Sequence, residues 1–71
     1  MKALKLIKMG SDLLKQKEVP SYLLDSEILL SKTLRKSREE LLINLDLEIS
    51  QNSYLKFKEY LLRRSKKEPI A

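Results

Sequence analysis

Residues 21–44, SYLLDSEILLSKTLRKSREELLIN, decide the fold. At about 100° per residue, Leu23, Leu24, Ile28, Leu30 and Leu34 cover one broad arc of a helix running from about Ser21 to Leu34, and Tyr22 and Leu29 add a second apolar strip. A helix apolar over so much of its girth needs neighbours on more than one side, which places it at the centre of a bundle. A short basic joint at Arg35 and Lys36 follows, and a second helix opens at Ser37. Ser37-Arg38-Glu39-Glu40 has the spacing of a capping box: the serine hydroxyl accepts from the Glu40 N–H, and the Glu40 carboxylate accepts from the serine N–H.

Upstream, Ala3, Leu6, Ile7, Met9, Gly10, Leu13 and Leu14 share a stripe opposite Lys5, Lys8, Ser11, Asp12, Lys15 and Gln16, which predicts a surface helix over about residues 2–17. Gly10 lies on the apolar side. There it either lets another helix approach closely or is a tolerated glycine costing about 1 kcal/mol against alanine. Glu18-Val19-Pro20 stops this helix, because a residue before proline avoids the α region. Asp25 sits near the positive end of the next. Glu27 intrudes into the apolar arc, so it is either at a margin reaching water or partly buried and paired.

Downstream, Leu45, Leu47 and Ile49 alternate with Asp46 and Glu48. One alternating segment with no second strand makes an extended connector with apolar plugs. Ser50 caps a last helix, about Gln51–Lys66, with Tyr54, Leu55, Phe57, Tyr60, Leu61 and Leu62 as its apolar face. Arg64 falls among these positions, where it would stack on Tyr60 or reach Glu27. The expected fold is all-α: a small orthogonal or antiparallel bundle of three long helices and one short one.

Composition narrows the chemistry. The 71 residues allow one domain, and so short a chain buries only about 60% of the surface its unfolded form exposes. There is no cysteine and no histidine, which removes disulfides, the usual metal ligands and the usual general base. One glycine cannot make a phosphate-cradling loop. No side-chain pair forms a catalytic constellation, so catalytic, cofactor-binding and metal-ligating residues are all expected to be absent. No apolar run approaches the roughly 20 residues that cross a bilayer. The start, MKALKLIKMG, interleaves lysine with apolar residues and is no secretory signal, so a cytoplasmic location is expected.

Most of the net charge of +5 gathers at the C-terminal end, where Lys56, Lys58, Arg63, Arg64, Lys66 and Lys67 stand against Glu59 and Glu68. Such a cluster is either a landing surface for an acidic protein or RNA, or a solvated helix end whose cations suit the negative pole. Nucleic acid is the weaker partner class, since no polar recognition helix follows the joints and the aromatics lie on core faces.

Three pieces of the chain resemble the N-terminal domain of the HemK family, the release factor glutamine methyltransferases. They are Leu24-Asp25-Ser26-Glu27-Ile28-Leu29-Leu30, Ser37-Arg38-Glu39-Glu40-Leu41-Leu42, and Leu61-Leu62-Arg63-Arg64 with Glu68-Pro69-Ile70-Ala71. The family usually has alanine where this chain has Ser26, and often glycine where it has Lys67. The resemblance implies a helical substrate-recognition domain over residues 1–66 and the start of a linker at 67–71, leading to a separate methyltransferase domain. That domain would use S-adenosylmethionine to methylate the glutamine of the Gly-Gly-Gln loop in class 1 peptide release factors. The expected partners are the release factor and the protein's own methyltransferase domain, with no metal and no membrane. The chain itself would be a non-catalytic cut-out of that enzyme. Arg63, Lys66 and Lys67 are the expected partner-binding residues. Asp25, Glu27, Ser37, Glu40 and Arg64 are the expected structural ones, with a Glu27–Arg64 pair at a helix junction. The competing function is a free-standing basic helical module for RNA or a ribosomal partner.

Overall fold

A computed structural model describes residues 1–66, which form four helices: α1 (Ala3–Gln16), α2 (Tyr22–Leu34), α3 (Arg38–Leu42) and α4 (Gln51–Ser65). The expected all-α bundle of three long helices and one short one is what forms. Its extents are 28 × 22 × 21 Å. Residues 67–71, the expected start of the linker, lie outside the described part.

Four of the helix ends have a local cause. Ser37 and Glu40 make the reciprocal capping box, both bonds at 3.1 Å, and Ser50 Oγ accepts from the Ser53 N–H at 3.2 Å. α1 and α2 end in the same way. The Val19 N–H donates to the Leu14 carbonyl (3.0 Å) and Glu18 to Lys15 (3.1 Å), with Glu18 left-handed at φ 61°. Likewise Lys36 donates to Ser31 (3.0 Å) and Arg35 to Lys32 (3.2 Å), with Arg35 at φ 57°. Both are Schellman motifs, and both set a side chain where glycine is usual. The first also carries the hydrophobic contact typical of the motif, since Val19 and Leu14 are both buried in the core.

α1 begins without a side-chain cap, Lys2 being a poor one. Its orphan donors are met from the connector: the Ala3 N–H donates to the Leu47 carbonyl at 2.9 Å and the Leu4 N–H to the Leu45 carbonyl at 3.1 Å. Ile49 N–H returns to the Met1 carbonyl at 2.8 Å, Lys2 and Glu48 bridge antiparallel, and the Met1 amino group pairs with Glu48. This corrects the expectation of an unpartnered segment. The alternating run does pair, with the extended residues before α1, and in doing so caps that helix. Ile49 is buried and Leu45 and Leu47 are half-buried, so they do act as plugs.

The core is Leu6, Ile7 and Leu14 of α1, Leu29 and Leu30 of α2, Leu41 of α3, Val19, Ile49, and Phe57 and Leu61 of α4. α2 touches all three other helices, as its girth predicted. It buries a different side, however. Leu23 and Leu24 are about half exposed, whereas Asp25 and Ser26 are buried. Gly10 is the reason: α1 approaches so closely there that only a small residue fits opposite. Ser26 fills that position and donates to the Ile7 carbonyl at 2.8 Å. A Cβ on Gly10 would lie 2.5 Å from Ser26 Oγ and 2.9 Å from Phe57 Cζ, so one contact point joins α1, α2 and α4.

Candidate docking surface

Turning α2 by Gly10 and Ser26 decides which charges meet. Asp25 points inward at the junction with α4, where its Oδ2 accepts from Arg64 Nε at 2.8 Å and from the Ser21 hydroxyl at 2.9 Å. The Asp25 side chain is 7% exposed and that of Arg64 20%, so the pair is largely removed from water. Glu27 turns to the other flank and accepts from Arg38 Nε of α3 at 2.8 Å, its side chain 12% exposed. The expected Glu27–Arg64 pair is therefore corrected to two pairs, Asp25–Arg64 and Glu27–Arg38. Of the two readings of Glu27, the partly buried and paired one holds. Nor does Arg64 occupy the Tyr60 ring: Lys32 Nζ lies 5.4 Å from its centroid.

These pairs fix α2 between α3 and α4, and between α2 and α4 lies a face that no other described helix covers. Leu24, Ile28 and Lys32, spaced four apart, form one strip along α2. The Lys32–Tyr60 contact sets that strip beside α4, where Lys56, Tyr60 and Arg63 follow one another at intervals of four and three. Leu24 is 44% exposed, Ile28 and Tyr60 are half-buried, and Lys32, Lys56 and Arg63 are exposed. The result is an apolar centre with a basic rim.

Of the residues expected to meet a partner, Arg63 lies on this rim and Lys66 follows at the C-cap of α4, exposed, while Lys67 is outside the described residues. Sequence reasoning missed Leu24 as a surface residue, Lys32 beside Tyr60 and Arg38 as the partner of Glu27. The available signal was Ser26: a small polar residue inside an apolar helix, matched by a lone glycine in the preceding one, marks the side where two helices touch.

Among the described residues no group of three or more carboxylates is placed to hold a metal, and Gly10 is mid-helix and covered by Ser26 and Phe57. No described helix is long and apolar enough to cross a membrane.

A match to the family described as the PrmC N-terminal domain extends over residues 5–71. The chain belongs to that family. Among curated proteins, it is 38% identical over 68 residues to the release factor glutamine methyltransferase of Leptospira interrogans serovar Lai, covering 96% of this chain and 24% of that protein. It is 43% identical over 57 residues to the enzyme of the same name from Clostridium acetobutylicum, covering 80% of this chain and 20% of that protein. For the Buchnera aphidicola enzyme of that name the identity is 41% over 54 residues, covering 76% and 19%. The chain thus spans about a quarter or less of the length of the curated relatives it matches. No solved structure matches it. The resemblance of the quoted motifs to the N-terminal domain of release factor glutamine methyltransferases agrees with this family.

Proposed function

We propose that the chain is the substrate-recognition domain of a peptide chain release factor N5-glutamine methyltransferase, and that residues 67–71 begin the linker to its catalytic domain. The observation that carries this is the shared name of its relatives together with a family match running from residue 5 to residue 71. In that role the domain holds a class 1 release factor so that the Gly-Gly-Gln glutamine, a weak amide nucleophile, is presented to S-adenosylmethionine bound in the catalytic domain. Holding and orienting the substrate converts a difficult encounter into an intramolecular step. The chain contributes no reacting group: its serines have no base to activate them, and histidine and cysteine are absent. The location that fits this substrate is the cytoplasm.

The basic end of α4, with Arg63 and Lys66, together with Lys67 next in the sequence, steers an acidic release factor toward the domain. Reversing these three charges should slow association and flatten its salt dependence; unchanged kinetics would remove that role. The broader reading is tested by following methyl transfer in the full-length enzyme, with and without residues 1–66. The expected result is a large fall in kcat/KM on intact release factor, with a short Gly-Gly-Gln peptide methylated as before. Equal kinetics on intact factor would refute a recognition role, and a peptide rate that fell in parallel would show a folding defect of the catalytic domain instead.

A further inference from the structure

The strip on α2 carries two large apolar side chains, Leu24 and Ile28, that the bundle leaves uncovered or half covered although the core lies one turn of the wheel away. They are held rigidly, because Asp25–Arg64 and Glu27–Arg38 pin the same turn of α2 to α4 and to α3. Tyr60 continues the apolar surface onto α4, and Lys32, Lys56 and Arg63 surround it, against Glu59 at the outer edge. A rigid apolar centre inside a charged rim is how stable docking surfaces are built. The centre sets how long a partner stays, and the rim sets how fast it arrives.

We infer that the Leu24–Ile28–Tyr60 strip seats a segment of the release factor that presents apolar side chains flanked by carboxylates. The inference rests on the release-factor reading above and assigns it a face. The charge of the rim is the reason for choosing an acidic partner over a second copy of this chain, which would bring the same cations together. It also separates two tasks: Lys66 at the end of α4 steers, whereas Leu24 anchors.

The test is to titrate the isotopically labelled 71-residue chain with a class 1 release factor and follow its backbone amide resonances. Shift changes or broadening centred on Leu24, Ile28, Lys32, Tyr60 and Arg63 are expected. Changes centred instead on Ile43, which is 86% exposed at the end of α3, or on Leu55 and Leu62 across α4, overturn the chosen face and leave the release-factor reading standing. No change at millimolar factor overturns both. Perturbation of the same residues by transfer RNA alone, or by raising the chain's own concentration, would replace the partner and overturn the inference. In parallel, Leu24→Glu and Lys32→Glu should weaken release-factor binding about tenfold, the first through faster dissociation, while Leu55→Glu has no effect. All three altered residues are exposed, and far-ultraviolet circular dichroism checks that each variant is folded. Folded variants with unchanged affinity refute the anchor.

Discussion

Replacing Gly10 by alanine tests the helix contact on which the packing turns. At an ordinary mid-helix site this substitution stabilises by about 1 kcal/mol, because glycine is the poorer helix former. Here the added Cβ would stand 2.5 Å from Ser26 Oγ, 2.9 Å from Phe57 Cζ and 3.1 Å from Leu61 Cδ2. None of the three can move away cheaply. Ser26 is fully buried and held by its bond to the Ile7 carbonyl, while Phe57 and Leu61 are closed in by the core. Overpacking of this kind costs about 1–3 kcal/mol. Displacing the serine hydroxyl costs a further 1 kcal/mol or so. Net of the helix-propensity gain, Gly10→Ala should destabilise by roughly 1–3 kcal/mol. For a domain this small that lowers Tm on the order of 10 °C. Urea and thermal unfolding followed by circular dichroism read it directly. Gly10→Ala combined with Ser26→Ala should lose less than the sum of the two, because the closest clash disappears. A Gly10→Ala variant as stable as the parent, or more so, would mean that the helices do not meet here, and the inward turn of Asp25 and Ser26 would lose its explanation.

A double-mutant cycle between Asp25 and Arg64 should show a coupling of about 1–3 kcal/mol, whereas one between Glu27 and Arg64 should be additive within about 0.5 kcal/mol. Arg64→Ala alone should cost roughly 2–4 kcal/mol, since it strands a buried carboxylate on one serine hydroxyl. Arg35→Gly and Glu18→Gly each relieve a left-handed residue and should raise stability by roughly 0.5–1 kcal/mol in urea melts; a loss in both would contradict the two helix ends described. The Ser37 N–H and then its hydroxyl hold the Glu40 carboxyl below the ordinary value of 4.5. A depressed carboxyl stabilises the fold above that value and loses the effect as pH falls through its own lower one. The destabilisation caused by Glu40→Ala should therefore be greatest near neutral pH and shrink in acid, which paired unfolding curves at the two pH values would show.

Most helix limits were readable because they are set by neighbours in sequence. A serine three residues before a glutamate, a serine before Gln51 and a proline at position 20 each act within one turn. The charge partners were not readable for the opposite reason. Arg64 has Glu27 and Asp25 two residues apart on α2, and a wheel for one helix cannot say which faces another helix 39 residues away in the chain. The same limit hid the bond between the connector and the residues before α1, since a pairing across more than 40 residues leaves no local trace.

The order of the residues determined, unaided, the capping box of α3, the serine cap of α4, the stop before Pro20 and which family motifs the chain carries. Only the assembled bundle decided which flank of α2 is inside. The broad apolar arc allowed several rotations of nearly equal burial, and a missing side chain at Gly10 singled out one by letting α1 come within reach of Ser26. That choice buried Asp25 beside Arg64 and turned Leu24 to the surface, because helix rotation is set by the closest contact between backbones and every other side chain follows from it.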